Sequence, residues 1–426
     1  MNLDWCRLRS VVIESDDWGL CGWVPDDQAH RVLADQPAFR SEAGLRYGRS
    51  TLESARDVAE LAAVLLQVRG GDGLPPVLQA NTIVASPDFE KLAPEAPESA
   101  EPPLAGFGEA GGRWERPGLL AAVRRACEQG VWWPELHGLH HLPLTAWLAA
   151  LRRGDHDARA ALAQRSPICA AAEAGGEFGA GEPREVRARG LREAVRRFEQ
   201  LFGRRPTSFC PPDYRFDDWL ESEAETLGLN TLQGKSEQDG RPLAGLRRRI
   251  LKPRFPHFAG ARFYLPPRIA FEPRGDARSA GRLGADAAHR AAREAWRRGQ
   301  PAVLSTHRLN YAHLDEAWSK AGREALAGLL TALAADGAVF LTDAEVRSLS
   351  ERGWSLRALG SRGALLRHYG APLEPLRFPA PAGAGGARLR PPVDGAGATE
   401  GGVRFEAGRI EARVQPGEHL IEWERA

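Results

Sequence analysis

The chain has 426 residues and a formal net charge of +1, a length that one α/β barrel with an appendage can use. Its basic residues are mostly arginines spread along the chain, so no basic stripe points to a nucleic-acid partner. The five cysteines (Cys6, Cys21, Cys127, Cys169, Cys210) are odd in number, widely spaced and without a CxxC pair, which argues against a disulfide frame and against a zinc–thiolate structural site.

The first residues show no charged-then-apolar leader, and no later apolar run reaches the roughly 20 residues of a membrane helix. The expectation is a cytoplasmic protein with no membrane partner. Its oligomeric state is not legible. Val11–Ile13 reads as a buried strand that runs into Glu14, Ser15, Asp16, Asp17, Trp18 and Gly19. A helix is expected over Ser54–Val68 and a strand over Pro76–Ala85, ending near Asn81. Pro87–Gly112, rich in Pro, Glu, Ala and Gly, reads as a surface loop. A helix over Pro117–Gln129, closed by Gly130, precedes a strand over Val131–Leu136 that delivers His137 at its end.

Further along, helices are expected over Thr145–Arg152, Glu185–Leu201, Phe216–Leu227, Asp286–Arg298, Asp315–Ala335 and Asp343–Ser350. Strands are expected at Thr207–Cys210, Asn230–Leu232, Ala302–Ser305 and Ala338–Leu341, with His307 just past the third of these. A loop surrounds Cys169–Gly181, and an Arg/Pro-rich excursion runs to about Gly284. Strands alternating with helices point to a mostly parallel, barrel-like sheet. Composition changes near Arg352, so the expected division is a barrel over 1–351, a linker over 352–401 and a short β appendage over 402–426. The appendage would hold strands at Gly402–Phe405, Ile410–Val414 and His419–Trp423.

The polar residues at strand ends are concentrated in type: Asp16 and Asp17, then His137 with His140 and His141, then His307. A divalent ion such as zinc wants about three His or carboxylate ligands and an open position for water. Asp17, His137 and His141 supply that set. If residues 137–141 make a helical turn, the first and last histidines share a face and His140 points elsewhere.

In chain order, ESDDWG, HGLHH, SFCPPDY and LSTH resemble the signature segments of the polysaccharide deacetylase family, the chitooligosaccharide deacetylase-like or fourth-class carbohydrate esterases. The resemblance spans about residues 8–350, and VFLTDAEV is similar to the family's last strand and helix. The histidine-rich second segment and DDWG are similar to those of a bacterial branch. The resemblance implies a deformed (β/α) barrel and hydrolysis of an acyl C–N bond in a carbohydrate or an N-acylated small molecule. It implies a divalent metal, with zinc expected, on Asp17, His137 and His141. Asp16 would be the general base and His307 the general acid. Backbone N–H groups at Asp213 or Tyr214 would hold the oxyanion.

Departures from the pattern are specific. Where the family's third segment has an arginine that steadies the base, this chain has Cys210, and Arg215 is the candidate substitute. Gly138 follows the first metal histidine in place of Thr or Ser, and Trp18 intervenes before Gly19. Trp18, Asn81, Tyr214 and Arg215 are the candidate substrate contacts. Trp18, Tyr214, Trp132 and Trp133 could each equally be core aromatics. Two other functions compete: a non-catalytic carbohydrate-binding protein that keeps the fold, motivated by Cys210, and a glycoside hydrolase using the spare carboxylates Glu14 and Asp213.

Overall fold

The computed structural model describes residues 3–92, 101–173, 175–215, 217–233, 256–274, 280–360, 363–370, 375–381, 383–390, 401–406 and 408–425. Much of the Arg/Pro-rich excursion, and 391–400 of the expected linker, lie outside these. In chain order the strands are β1 (Ser10–Trp18), β2 (Leu78–Ile83), β3 (Ala85–Pro87), β4 (Leu104–Gly106), β5 (Trp132–Gly138), β6 (Ser208–Phe209), β7 (Thr231–Leu232), β8 (His257–Ala259), β9 (Arg262–Tyr264), β10 (Ile269–Ala270), β11 (Ala302–His307) and β12 (Val339–Leu341).

The main sheet runs β10-β11-β1-β2-β5-β6-β7-β9-β8, with β12 on the start of β1. Every pairing in it is parallel except β8 with β9. Val11, Val12 and Ile13 on β1 are fully buried, as a strand covered on both faces requires. The helices between strands supply that cover. Ala55–Gln67 starts in a capping box of Ser54 and Asp57 and buries Val58, Leu61, Ala62 and Leu65, which is the expected amphipathic pattern.

The path of strands is open yet curled, because side chains from separate strands meet inside it. Gln233, just past β7, bonds Asn81 of β2 and Ser208 of β6. Arg268, before β10, lies 3.3 Å from the Cys210 sulfur. This is the deformed barrel the motifs imply.

Three short helices, Asp27–Leu33, Pro37–Arg40 and Glu42–Tyr47, were not expected. They are too short for periodicity to register, and side-chain caps from Asp26 and Ser41 start the first and third. The loop expected at Pro87–Gly112 carries the β3–β4 hairpin.

The expected linker is a correction. Residues 352–401 contain β13 (Trp354–Leu359), β14 (Gly363–His368), β15 (Leu376–Pro379) and β16 (Ala384–Arg390). They combine with β17 (Gly401–Glu406), β18 (Arg409–Val414) and β19 (Gly417–Arg425) into two antiparallel sheets, β13-β14-β19-β16 and β15-β18-β17. Leu366, Leu376, Phe378, Ile410, Ala412, Val414 and Ile421 form their shared core. The sequence hid this because Gly and Ala fill much of β16, and β15 alternates over too few residues to show a period.

A buried ion cluster fastens this unit to the barrel. Arg367 of β14, with its side chain 1% exposed, meets Asp72 at 2.6 Å and Glu345 at 3.1 Å. Arg357 of β13 meets Glu345 at 3.3 Å and donates to the Gly130 carbonyl.

Candidate metal centre

The candidate groups gather at the C-terminal ends of β1, β5 and β11, where barrel chemistry is usually found. Two β-bulges put them there. Ser15 pairs with Ala80 and Trp18 with Thr82, so Asp16 and Asp17 together stand opposite Asn81 alone. Thr82 pairs with Leu136 and Ile83 with Gly138, so His137 is an extra residue on β5. A bulge breaks strict alternation and re-aims side chains, which lets neighbouring aspartates serve one cleft.

Asp17 Oδ1 lies 3.3 Å from His137 Nε2 and 3.6 Å from His141 Nε2. One ligand atom from each of the three residues falls within 4.8 Å of the others. His137 Nδ1–H donates to the Cys210 carbonyl at 2.7 Å. A carbonyl only accepts, so Nδ1 keeps its hydrogen and Nε2 is the nitrogen that would turn to a metal, giving up the hydrogen it shares with Asp17. Burial opposes charge on Asp17, but His137, His307 and His141 hold its carboxyl far below the usual range. The donor set and its orientation fit a divalent ion.

Residues 139–142 do not form the expected helical turn. His141 returns to the cleft through a left-handed backbone, φ 61°, and Asp17 also has positive φ, 73°. Glu177 holds the turn, its carboxylate accepting the backbone N–H groups of Leu139, His140 and His141 at 2.6–3.1 Å. His140 is buried and accepts from the Leu142 N–H.

A second group, Asp16, His137 and Cys210, is equally close but suits a metal poorly. Both Asp16 oxygens are engaged by Arg268, at 2.9 and 3.0 Å, and Asn81 Nδ2 donates to Oδ1 at 2.6 Å. Burial, then the Asp16 charge, push the Cys210 thiol up, so it stays protonated beside a guanidinium.

Arg268 is therefore the group that steadies Asp16. Arg215 does not take this place: its side chain runs along Gly176 and Gly179. Burial works against the Asp16 charge, yet Arg268, His137 and His307 bring its pKa down to about 2. Two expected substrate contacts belong to the interior. Trp18 is 1% exposed, donates to Ser15 Oγ and packs edge-on against Trp132, because the bulge turns its ring into the core. Asn81 is fully buried and spends its amide on Asp16 and Gln233. Trp133 lies under Arg204, its ring centroid 4.0 Å from the guanidinium carbon. Tyr214 OH accepts from Arg268.

His307, at the end of β11, places Nε2 3.8 Å from Asp16 Oδ2, and its Nδ1 bonds Glu272. Glu272 also accepts from Asn310 at 2.7 Å and pairs with Arg46 at 3.1 Å. Burial disfavours the charged ring, but Glu272, Asp17 and Asp16 outweigh it and lift the His307 pKa to about 9. Sequence reasoning missed both Arg268 and Glu272. They flank β10, a charged residue on each side of a short apolar run, the same strand-end signal that marked His137.

In the third segment, Asp213 and Tyr214 have positive φ, 55° each. The Tyr214 N–H donates to Pro211 and that of Arg215 to Pro212, so Asp213 is the remaining oxyanion candidate of the pair. Glu14 is fully buried and 2.5 Å from Arg268. It cannot flank a sugar bond, which removes one of the two carboxylates of the glycosidase reading. All five cysteines are free, and among the described residues no helix is long and apolar enough to cross a membrane.

No protein-family model matches the sequence, and no curated protein does. Similar solved structures include a provisionally assigned polysaccharide deacetylase from Mycobacterium smegmatis, 14% identical with TM-score 0.38, covering 80% of this chain and 88% of that one. Agd3, a carbohydrate deacetylase, is 8% identical with TM-score 0.37, covering 97% of this chain and 64% of that one. A mutant of BA3943, a CE4 family pseudoenzyme with restored enzymatic activity, is 10% identical with TM-score 0.33, covering 78% and 64%. None of these likenesses assigns a role to a residue of this chain.

Proposed function

We propose that the chain is a metal-dependent hydrolase that removes an acyl group, N-acetyl in the first instance, from a carbohydrate or related amide. The observation that carries this reading is the convergence on one cleft of an Asp-His-His donor set, a carboxylate held ionised and an imidazole held protonated. Paired groups whose environments push their proton affinities apart are the mark of acid–base work.

A divalent ion on Asp17, His137 and His141, zinc being the expected one, supplies Lewis acidity for water activation and carbonyl polarisation. Asp16 takes the proton from the attacking water, with Arg268 and Asn81 fixing its carboxylate. His307 gives a proton to the departing amine nitrogen, so the amide and water become a carboxylate and a free amine. The Asp213 N–H is the candidate donor to the oxyanion. Tyr214 supports Arg268 from the rim, and Arg215 remains a candidate substrate contact.

The test is acetate release from N-acetylglucosamine oligomers by protein loaded with Zn²⁺. Release that stops on chelation and returns with metal is the expected outcome. Metal-loaded protein that binds such glycans without releasing acetate would leave the carbohydrate-binding alternative.

Glu272→Gln gives a sharper test of the acid. His307 must be protonated to donate, so activity persists below its folded-state pKa and falls as pH rises through about 9. Without the Glu272 charge that limb should move toward the ordinary histidine value of about 6.5. A pH–rate profile checks this; an unmoved alkaline limb would assign it to another group.

A further inference from the structure

Beneath Asp16 the barrel interior holds a nearly closed ring of polar side chains. Arg268 grips both oxygens of Asp16, and its Nε lies 2.5 Å from Glu14 Oε2. Asp16 accepts from Asn81, whose amide exchanges bonds with Gln233 at 2.7 and 3.0 Å. Gln233 donates to Ser208 Oγ at 2.8 Å, and Ser208 donates to Asp343 Oδ2 at 2.5 Å. Gln79 Nε2 donates to that same oxygen at 2.5 Å, and Gln79 Oε1 accepts the Asp343 N–H. The one link left is between Asp343 and Glu14.

Both carboxyls are fully buried. Both Glu14 oxygens and Asp343 Oδ1 have no hydrogen-bond donor among the described residues, the approach of Arg268 Nε to Glu14 Oε2 being an ion pair without hydrogen-bond alignment, and the two carboxyls lie within hydrogen-bond reach of each other. Two bare carboxylates in contact in a dry interior repel strongly, and such sites hold a proton instead. Among the described residues the nearby guanidinium is Arg268, and its one positive charge is shared between Glu14 and both oxygens of Asp16. We propose that Glu14 and Asp343 share one proton and act as positioning residues, holding Arg268 in the register that grips the base. The inference rests on the reading of Asp16 as that base.

The surrounding charges agree. Burial, then Asp343, push the Glu14 carboxyl well above the usual range, and Arg268 opposes them only in part. Burial also raises Asp343, against the bonds from Glu14, Ser208 and Gln79, with Glu135 adding to the rise. A neutral partner in the pair leaves the Arg268 charge to Asp16.

Infrared spectra of the full chain at neutral pH test this. Wild type should show the carbonyl stretch of a protonated carboxyl, shifted in D₂O and lost in both Glu14→Gln and Asp343→Asn. Asp343→Asn keeps the acceptor for Ser208 and Gln79 and offers an amide N–H where the shared proton stands, so it carries the test if Glu14→Gln does not fold. Both variants should keep the wild-type metal content. With an active substrate, kcat should fall about 10- to 100-fold with KM little changed, as for groups that orient a reacting residue. No protonated-carboxyl band in wild type, or a band that persists in both variants, overturns the proposal. Failure to find deacetylase activity leaves the infrared result standing and refutes only the catalytic reading.

Discussion

Asp17→Ala and His137→Ala should each lose a divalent ion that wild-type protein carries at about one per chain, and should hydrolyse acyl groups more than about 1000-fold more slowly. Removing either residue leaves two donors, too few to hold the ion against water. His137 is the more telling position. Its Nδ1–H is fixed on the Cys210 carbonyl, so its Nε2 faces the cleft before any ion arrives. Elemental analysis beside His307→Ala separates the roles, because that variant should be slow yet keep its metal. Wild-type protein that holds no ion after dialysis against Zn²⁺ would sink the catalytic reading.

Arg268→Met should lower stability by about 3–5 kcal/mol at neutral pH, the cost of leaving buried charge without its partner. Arg215→Met, at a half-buried position in the same segment as Tyr214, should stay within about 0.5 kcal/mol. The pH dependence identifies the source. In wild type the folded-state pKa of Asp16 is depressed to about 2, below the unfolded value of about 3.9. Its contribution to stability is therefore present above about pH 4 and lost as pH falls toward 2. Without Arg268, the largest influence opposing burial is gone and the Asp16 pKa rises, with only His137 and His307 left to hold it down, so the variant's deficit should be largest at neutral pH and shrink in acid. Urea unfolding at pH 7 and pH 4 measures this. An equal deficit at both would place the loss in packing.

The barrel was legible because buried strands such as Val11–Ile13, and long amphipathic helices such as Arg184–Phe202, announce themselves through hydrophobic pattern. The candidate metal donors could be picked out because Asp17 and His137 stand at strand ends, with His141 four residues beyond His137. What could not be read were the bulges at Asp16–Asp17 and His137, which depend on how neighbouring strands pair. The same limit explains Trp18: a tryptophan beside an acidic pair reads as a sugar platform until the bulge turns it inward. Arg268 escaped because it is distant in sequence from everything it touches. The C-terminal strands were read only from Gly402 onward, where valine, phenylalanine and isoleucine alternate.

Glu345 is at once the capping-box partner of Thr342 at the start of the helix Asp343–Arg352 and the acid shared by Arg357 and Arg367. That double use makes the barrel and its β unit a single heritable object. A lineage that shed the strands after Gly353 would return Asp72 and Glu345 to water, where neither needs an arginine partner. Chains with this barrel and no β unit should therefore vary freely at position 72 while keeping a capping acid at 345.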